Sequence, residues 1–194
     1  MRMANANSSG GLLPRGYQQV EYLLNPSSGQ YIDTGVGATE LRGLETKIML
    51  KKAGGGWYAG FGCNSSSVVN LYCAARATAV YFVTGAPGTS YSTDNIHVIE
   101  WLNYTLTVDG VTIGTYNYNP SGATTLKLFR FGENGTDQTD TTIYYFKVYG
   151  VDGLIRDFIP CYRKSDNKTG MYDLVTDTFF ANAGTGEFTV GNNV

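Results

Sequence analysis

Residues 141–163 read TTIYYFKVYGVDGLIRDFIPCYR, and this stretch decides the fold. From Ile143 to Tyr149 every residue but Lys147 is apolar or aromatic. Side chains alternate along a strand, so Ile143, Tyr145, Lys147 and Tyr149 are assigned to one face and Tyr144, Phe146 and Val148 to the other. Apolar residues on both faces predict an inner strand covered on both sides. Asp152-Gly153 supplies a turn, because glycine accepts positive φ at little cost. Residues 154–160 return as a second strand. Pro160 has no N–H to give a ladder and is expected to close that strand or lie at an edge. Arg156 and Asp157 are neighbours and face opposite ways. Arg156, beside the apolar Phe158-Ile159, therefore needs a carboxylate from elsewhere, and Asp33 in QYIDTG is the expected partner.

Working outward, the same short alternating runs recur. They fall at 18–24, 30–36, 46–51, 57–62, 96–101, 105–108 and 111–116, with a hairpin expected over 68–84. Asp109-Gly110 reads as a hairpin turn. Residues 126–131 (LKLFRF) alternate, with Leu126, Leu128 and Arg130 opposite Lys127, Phe129 and Phe131. After the central hairpin, 171–174, 178–181 and 187–190 close the series. No segment has a helical period. Many short strands with turn signals every ~8–12 residues indicate a sandwich or a barrel.

Composition agrees. The chain has 194 residues, enough for one domain with a sizeable core. Tyr, Phe and Gly are abundant (15, 9 and 25), whereas charged residues make up only 15%, the profile of a turn-rich all-β protein. A net charge of -2 leaves no basic footprint for nucleic acid or an anionic membrane. No run approaches the ~20 apolar residues of a membrane helix. MRMANANSSGGLLPRG has no stretch fit for a secretory signal, so the chain is expected to be made in a cytoplasm and to stay soluble, or to leave by assembly or lysis rather than export. Cys63, Cys73 and Cys161 have no metal-type spacing. They read as buried free thiols, with a Cys63–Cys73 bridge as the alternative.

Nothing up to about residue 13 can bury a face, so 1–16 reads as a flexible N-terminal tail and 17–194 as one domain. The tail is either disordered, Leu13-Pro14-Arg15-Gly16 resembling a protease-site remnant, or a peptide that anchors on a partner.

Two long stretches carry a resemblance. LPRGYQQVEYLLNPSSGQYIDTGV at 13–36 resembles the opening of a group of concanavalin A-like, laminin-G-like jelly rolls found in phage virion proteins and in surface proteins of gut anaerobes. IYYFKVYGVDGLIRDFIPCYRKSDNKTGMYDLVTDTFFANAGTGEFTVG at 143–191 resembles its close. The middle strands, HVIEWLNYTLTVDG at 97–110 and LKLFRFGENG at 126–135, match more loosely. The resemblance implies an all-β, two-sheet antiparallel jelly-roll sandwich. It implies no single ligand, since this fold hosts lectins, glycosidases and docking modules alike.

Enzymes of that fold set paired carboxylates on one strand face, and no such motif is present. Glu100 is alone on its strand, and Asp109, Asp152 and Asp157 sit at turns or beside a basic residue. His97, the only histidine, has no serine–aspartate arrangement around it. A non-enzyme is expected. Asp137 with Asp140, or Asp94 with Asn95, could serve Ca²⁺ at the rim, but six or more oxygens cannot be assembled, so no cofactor is expected. Sugar binding is the leading specific activity, because lectins stack pyranose faces on Trp or Tyr and fix hydroxyls with polar side chains. Trp57, Tyr58, Tyr91, Tyr116, Tyr118 and Asn119 are the candidate glycan residues. Together these features lead to a non-enzymatic module of a bacteriophage virion: a capsid decoration protein, head fibre or tail appendage. Its expected partners are other virion proteins through the tail, host-surface glycans and further copies of itself. The alternative is a carbohydrate-binding lectin, free or on a bacterial surface.

Overall fold

The computed structural model describes residues 12–51, 57–64, 71–76, 79–82, 91–116, 122–131 and 140–194. These form two antiparallel sheets packed as a β-sandwich, a layout compatible with a jelly roll. The larger sheet runs in the order β10 (Val111–Thr115), β9 (Thr105–Val108), β8 (Ile96–Leu102), β4 (Gly43–Leu50), β12 (Thr141–Gly150), β13 (Gly153–Arg163), β14 (Thr169–Asp173), β15 (Thr178–Ala181). The smaller runs β3 (Ile32–Gly37), β11 (Thr125–Leu128), β5 (Trp57–Gly62), β6 (Tyr72–Arg76), β7 (Ala79–Phe82). Three short strands complete the larger sheet: β1 (Tyr17–Gln19), β2 (Leu23–Leu24) and β16 (Thr189–Val190). Among the described residues no helix is long and apolar enough to cross a membrane.

The β12–β13 hairpin is paired only toward its turn, from Phe146↔Phe158 to Gly150↔Gly153. Beyond that the two strands part and the N-terminal segment fills the gap. β1 pairs with Cys161 to Arg163, and β2 pairs with Thr142 and Ile143. The C-terminus then lies on β2 through Thr189↔Leu24 and Val190↔Leu23. The two ends of the chain are thus neighbours in one sheet.

Several local expectations change. A register shift between Ile143 and Tyr145 inserts Tyr144 as an extra residue, and a bulge of this kind reverses the alternation on one side of it. Ile143 therefore joins Phe146 and Val148 in the core, all fully buried, opposite to its assigned face. The other face of β12 is not covered by a second layer, as Tyr145, Lys147 and Tyr149 remain half-buried. Pro160 lies inside β13, where β12 gives way to β1. Its carbonyl accepts from the Val20 N–H at 3.0 Å, so its missing N–H falls on the β1 side and leaves the β14 ladder intact. The run at 126–131 stops alternating after Leu128. Phe129 takes φ 66, unusual for a bulky residue, and its ring is fully buried 4.8 Å from that of Phe188.

Between the sheets Phe61 meets Phe146 edge-on at 5.0 Å, and within the larger sheet Phe158 meets the half-buried Phe180 at 5.2 Å. Each fully buried ring contributes about 1.5–3 kcal/mol. Gly60 lets the sheets approach, because a Cβ there would stand 2.8 Å from Ile48 Cδ1. A smaller apolar cluster sits apart from this core: Leu13, Ile159, Cys161 and Tyr172, flanked by Tyr17, Leu174 and Phe179. Leu13 thus buries a side chain at a position expected to bury none. The three cysteines are free and buried, and burial pushes the Cys63 thiol up to about 11 and that of Cys161 to about 12.

Arg156 does not pair with Asp33. Its Nε lies 3.6 Å from Oδ2 of Asp173 and donates to the Thr34 carbonyl at 3.3 Å. Asp33 faces Lys127 Nζ at 3.8 Å and accepts from the Gly35 N–H. The reason is register: Asp33 is opposite Lys127, whereas Arg156 lies across from Val148, on the inner side of its strand.

Candidate functional site

One transverse row of polar side chains crosses the larger sheet. β4 begins at Gly43, three residues before the run read at 46–51, and this brings Glu45 into the ladder. Glu45 is directly opposite Glu100 on β8 and Lys147 on β12. Glu100 is opposite Thr107 on β9, and Lys147 is opposite Asp157 on β13. Side chains at directly opposed positions stand ~4.5–5.5 Å apart at Cβ, so Thr107, Glu100, Glu45, Lys147 and Asp157 form a continuous line across five strands.

Hydrogen bonds tie most of the line together. Lys147 Nζ reaches both Glu45 oxygens, at 3.3 and 3.4 Å, and the Tyr149 hydroxyl donates to Glu45 Oε2 at 3.3 Å. Thr107 Oγ1 donates to Glu100 Oε2 at 2.8 Å. Lys147 also sits 5.4 Å from the centre of the Tyr145 ring. The electrostatics follow. Burial, then a hydrogen bond to Glu45 and the charges of Glu45 and Glu100, push the Tyr145 phenol well up. Burial and the Glu45 charge raise Tyr149. Burial works against the Lys147 ammonium, but the hydrogen bond and charge of Glu45 outweigh it and hold Lys147 protonated above its ordinary range. Asp157 is raised, first by burial and then by the charges of Asp173 and Glu45, with Lys147 opposing.

The row is reachable. The Lys147 and Glu45 side chains keep 31% and 18% of their exposure. It offers acceptors at Glu100 and Asp157, a donor at Lys147, and the phenol rings of Tyr145 and Tyr149. Leu154 lies opposite Tyr149, and a Cβ at Gly43 would meet both Leu102 Cδ2 and Tyr149 Cβ, so the two leucines flank Tyr149. Such a mixture suits a ligand rich in hydroxyls with an apolar ring face.

No protein-family model matches the chain, and no curated protein is significantly similar to it.

Of the candidate residues read from sequence, the described ones lie elsewhere. Tyr58, Tyr91 and Tyr116 are half-buried and pack against the core between the sheets. Tyr91 also meets the His97 ring edge-on at 5.8 Å. Trp57 opens β5, but its side chain, like Tyr118 and Asn119 altogether, falls outside the described residues. Of the loop pairs weighed for Ca²⁺, Asp140 is bridged to Lys51 at 3.3 Å, and Asn95 donates to Ser92 Oγ at 2.8 Å. Asp137 falls outside the described residues. Among the described residues no three or more His, Cys, Asp or Glu side chains gather as a metal site. Sequence reading missed the pairing of Glu45 with Glu100, because the two are 55 residues apart and only register joins them. The available signal was the Tyr145, Lys147, Tyr149 alternation, which marks one polar-aromatic face.

Proposed function

We propose that this chain is a non-enzymatic interaction module that binds a glycan on the outer face of its larger sheet. The observation that carries the proposal is the row from Thr107 to Asp157, with donors, acceptors and two phenol rings on one open surface. Sugars need that combination: C–H faces rest on aromatic rings while hydroxyls exchange hydrogen bonds with charged groups. The row does set two carboxylates, Glu45 and Glu100, side by side. Glycoside hydrolysis, however, needs one carboxyl kept protonated next to one kept ionised. Lys147 and Tyr149 donate to Glu45 and Thr107 donates to Glu100, so both carboxylates already serve as acceptors within the row. That favours binding over bond cleavage.

The setting we propose is a bacteriophage virion, as a decoration protein, head fibre or tail appendage of concanavalin A-like type, with residues 1–16 as the attachment peptide. The resemblance of the two chain ends supports this setting. Within that peptide, residues 13–16 also dock on the domain itself, through Leu13 in the small apolar cluster and the Gly16 carbonyl, which accepts from the Lys164 N–H at 2.9 Å.

Glycan-array screening of wild type, Glu100→Gln and Tyr149→Phe tests the binding face. Signals that weaken in both variants while Trp57→Ala and Tyr118→Ala leave them intact support the row. The reverse pattern moves the site to Trp57 and Tyr118, and release of reducing sugar would make the protein an enzyme. Cryo-electron microscopy of native particles tests the setting, which fails if no particle contains the chain.

A further inference from the structure

His97 stands where three segments meet, away from the outer-face row. Its Nδ1 lies 2.7 Å from Asp109 Oδ2, in the turn between β9 and β10, and its Nε2 lies 2.9 Å from the carbonyl oxygen of Ser92, in the segment leading into β8. The Tyr91 ring closes one side edge-on. Asp109 is held in place from behind, since its Oδ1 accepts the Val98 N–H at 2.8 Å. Among the described residues, the titratable groups facing the imidazole are therefore the Asp109 carboxyl from the turn and the Tyr91 phenol from the preceding segment. β4 presents the apolar Ile48 opposite His97.

Both ring nitrogens face oxygens that can only accept. A neutral imidazole carries one N–H and can donate to one of them; the imidazolium donates to both. We propose that His97 is a pH-operated clamp that holds the Ser92 segment to the β9–β10 turn when doubly protonated and releases the Ser92 carbonyl when it loses a proton. The proton lost is the one on Nε2. The bond from Nδ1 to a carboxylate is charge-assisted and shorter, whereas the bond to a neutral carbonyl is the weaker of the two. Release is thus one-sided: the turn at Asp109 stays fixed and the rim at Ser92 loosens.

The sign follows from the contacts. The second bond exists only with the proton on, so the clamp is closed when the imidazole is doubly protonated and open when it is neutral. At the acid end the limit is Asp109. Burial opposes its charge, but hydrogen bonds from His97 and the Val98 N–H, with the His97 charge, outweigh burial and keep the carboxyl below its ordinary range. The clamp is complete between these two titrations.

Ring ¹⁵N shifts and amide exchange of the intact chain test this across the imidazole titration. The expected result is protons on both ring nitrogens at low pH and on Nδ1 alone at high pH. The Ser92 carbonyl ¹³C shift should move with the same midpoint. The Asp94 amide, which donates to the Leu50 carbonyl, should exchange about tenfold faster after correction for intrinsic rate. The Val98 amide should not change, and His97→Gln should abolish the transition. A proton retained on Nε2 at high pH would overturn the clamp. So would Ser92 and Asp94 signals that stay flat while the ring titrates.

Discussion

Asp173 and Glu45 are both carboxylates of the larger sheet with a cation beside them, yet their surroundings make them different kinds of group. Asp173 is fully buried. Its Oδ1 accepts the N–H groups of Asp157 and Val175 at 2.8 and 3.1 Å, and its Oδ2 accepts the Thr176 hydroxyl at 2.6 Å beside Arg156. Every partner belongs to the chain, and they fix the turn after β14 to β13. Glu45 lies among side chains that are themselves open to solvent, in a row whose other members can still take a ligand's hydroxyls. Full burial, with its oxygens taken up by the chain's own donors, makes Asp173 a structural joint. Open capacity on a sheet face is what makes the Glu45 row the proposed surface for recognition.

The largest expected effect breaks the structural side of that contrast. Asp173→Ala leaves Arg156 unpaired and removes the acceptor of three hydrogen bonds, so stability should fall by about 3–5 kcal/mol, read from the urea midpoint. A loss under about 1 kcal/mol would show that the joint carries no weight. Arg156→Met keeps the stem of the side chain and leaves Asp173 its three donors. We expect a loss of about 1–3 kcal/mol, smaller than that of Asp173→Ala in the same titration.

Glu45→Gln sharpens the other side. It loosens Lys147 and Tyr149 at a solvent-open site, so stability should change by less than about 1 kcal/mol. Calorimetry with a glycan identified on the array should show affinity falling about tenfold or more. Unchanged affinity would remove Glu45 from the recognition surface. The smallest effect is expected for Asp157→Asn. A carboxyl raised in the fold holds its proton more tightly than in the unfolded chain, so stability falls as pH rises from the ordinary carboxylate range to the raised value. The Asn variant should lack that slope and be slightly more stable than wild type at neutral pH. A steeper slope in the variant would contradict the assignment of burial as the main cause.

The strands were legible because their signals are local. The alternation in 96–101 and 105–108 and the turn at Asp109-Gly110 reappear as β8, β9 and a turn with both residues at positive φ, 52 and 77. The turn expected at Asp152-Gly153 is likewise present, with Gly153 at φ 107. What failed locally failed at irregularities. Tyr144 and Phe129 are ordinary strand formers by residue type, and nothing in either side chain announces a bulge or a left-handed backbone. Leu13 looked idle because its partners, Ile159, Cys161 and Tyr172, come from the far end of the chain.

The candidate site was legible only in half. The Tyr145, Lys147 and Tyr149 face follows from period two along one strand. Its completion by Glu45, Glu100 and Asp157 depends on cross-strand register, a property of pairs of strands.

By itself, then, the sequence determined that this is an all-β protein of many short strands and where the hairpins turn, because side-chain alternation and turn residues act over a few positions. The tertiary structure alone decided which strands are neighbours, that Arg156 meets Asp173 and not Asp33, and that two distant glutamates share one face. Those outcomes depend on register between strands, which is set by burying one shared core and cannot be read from any strand alone.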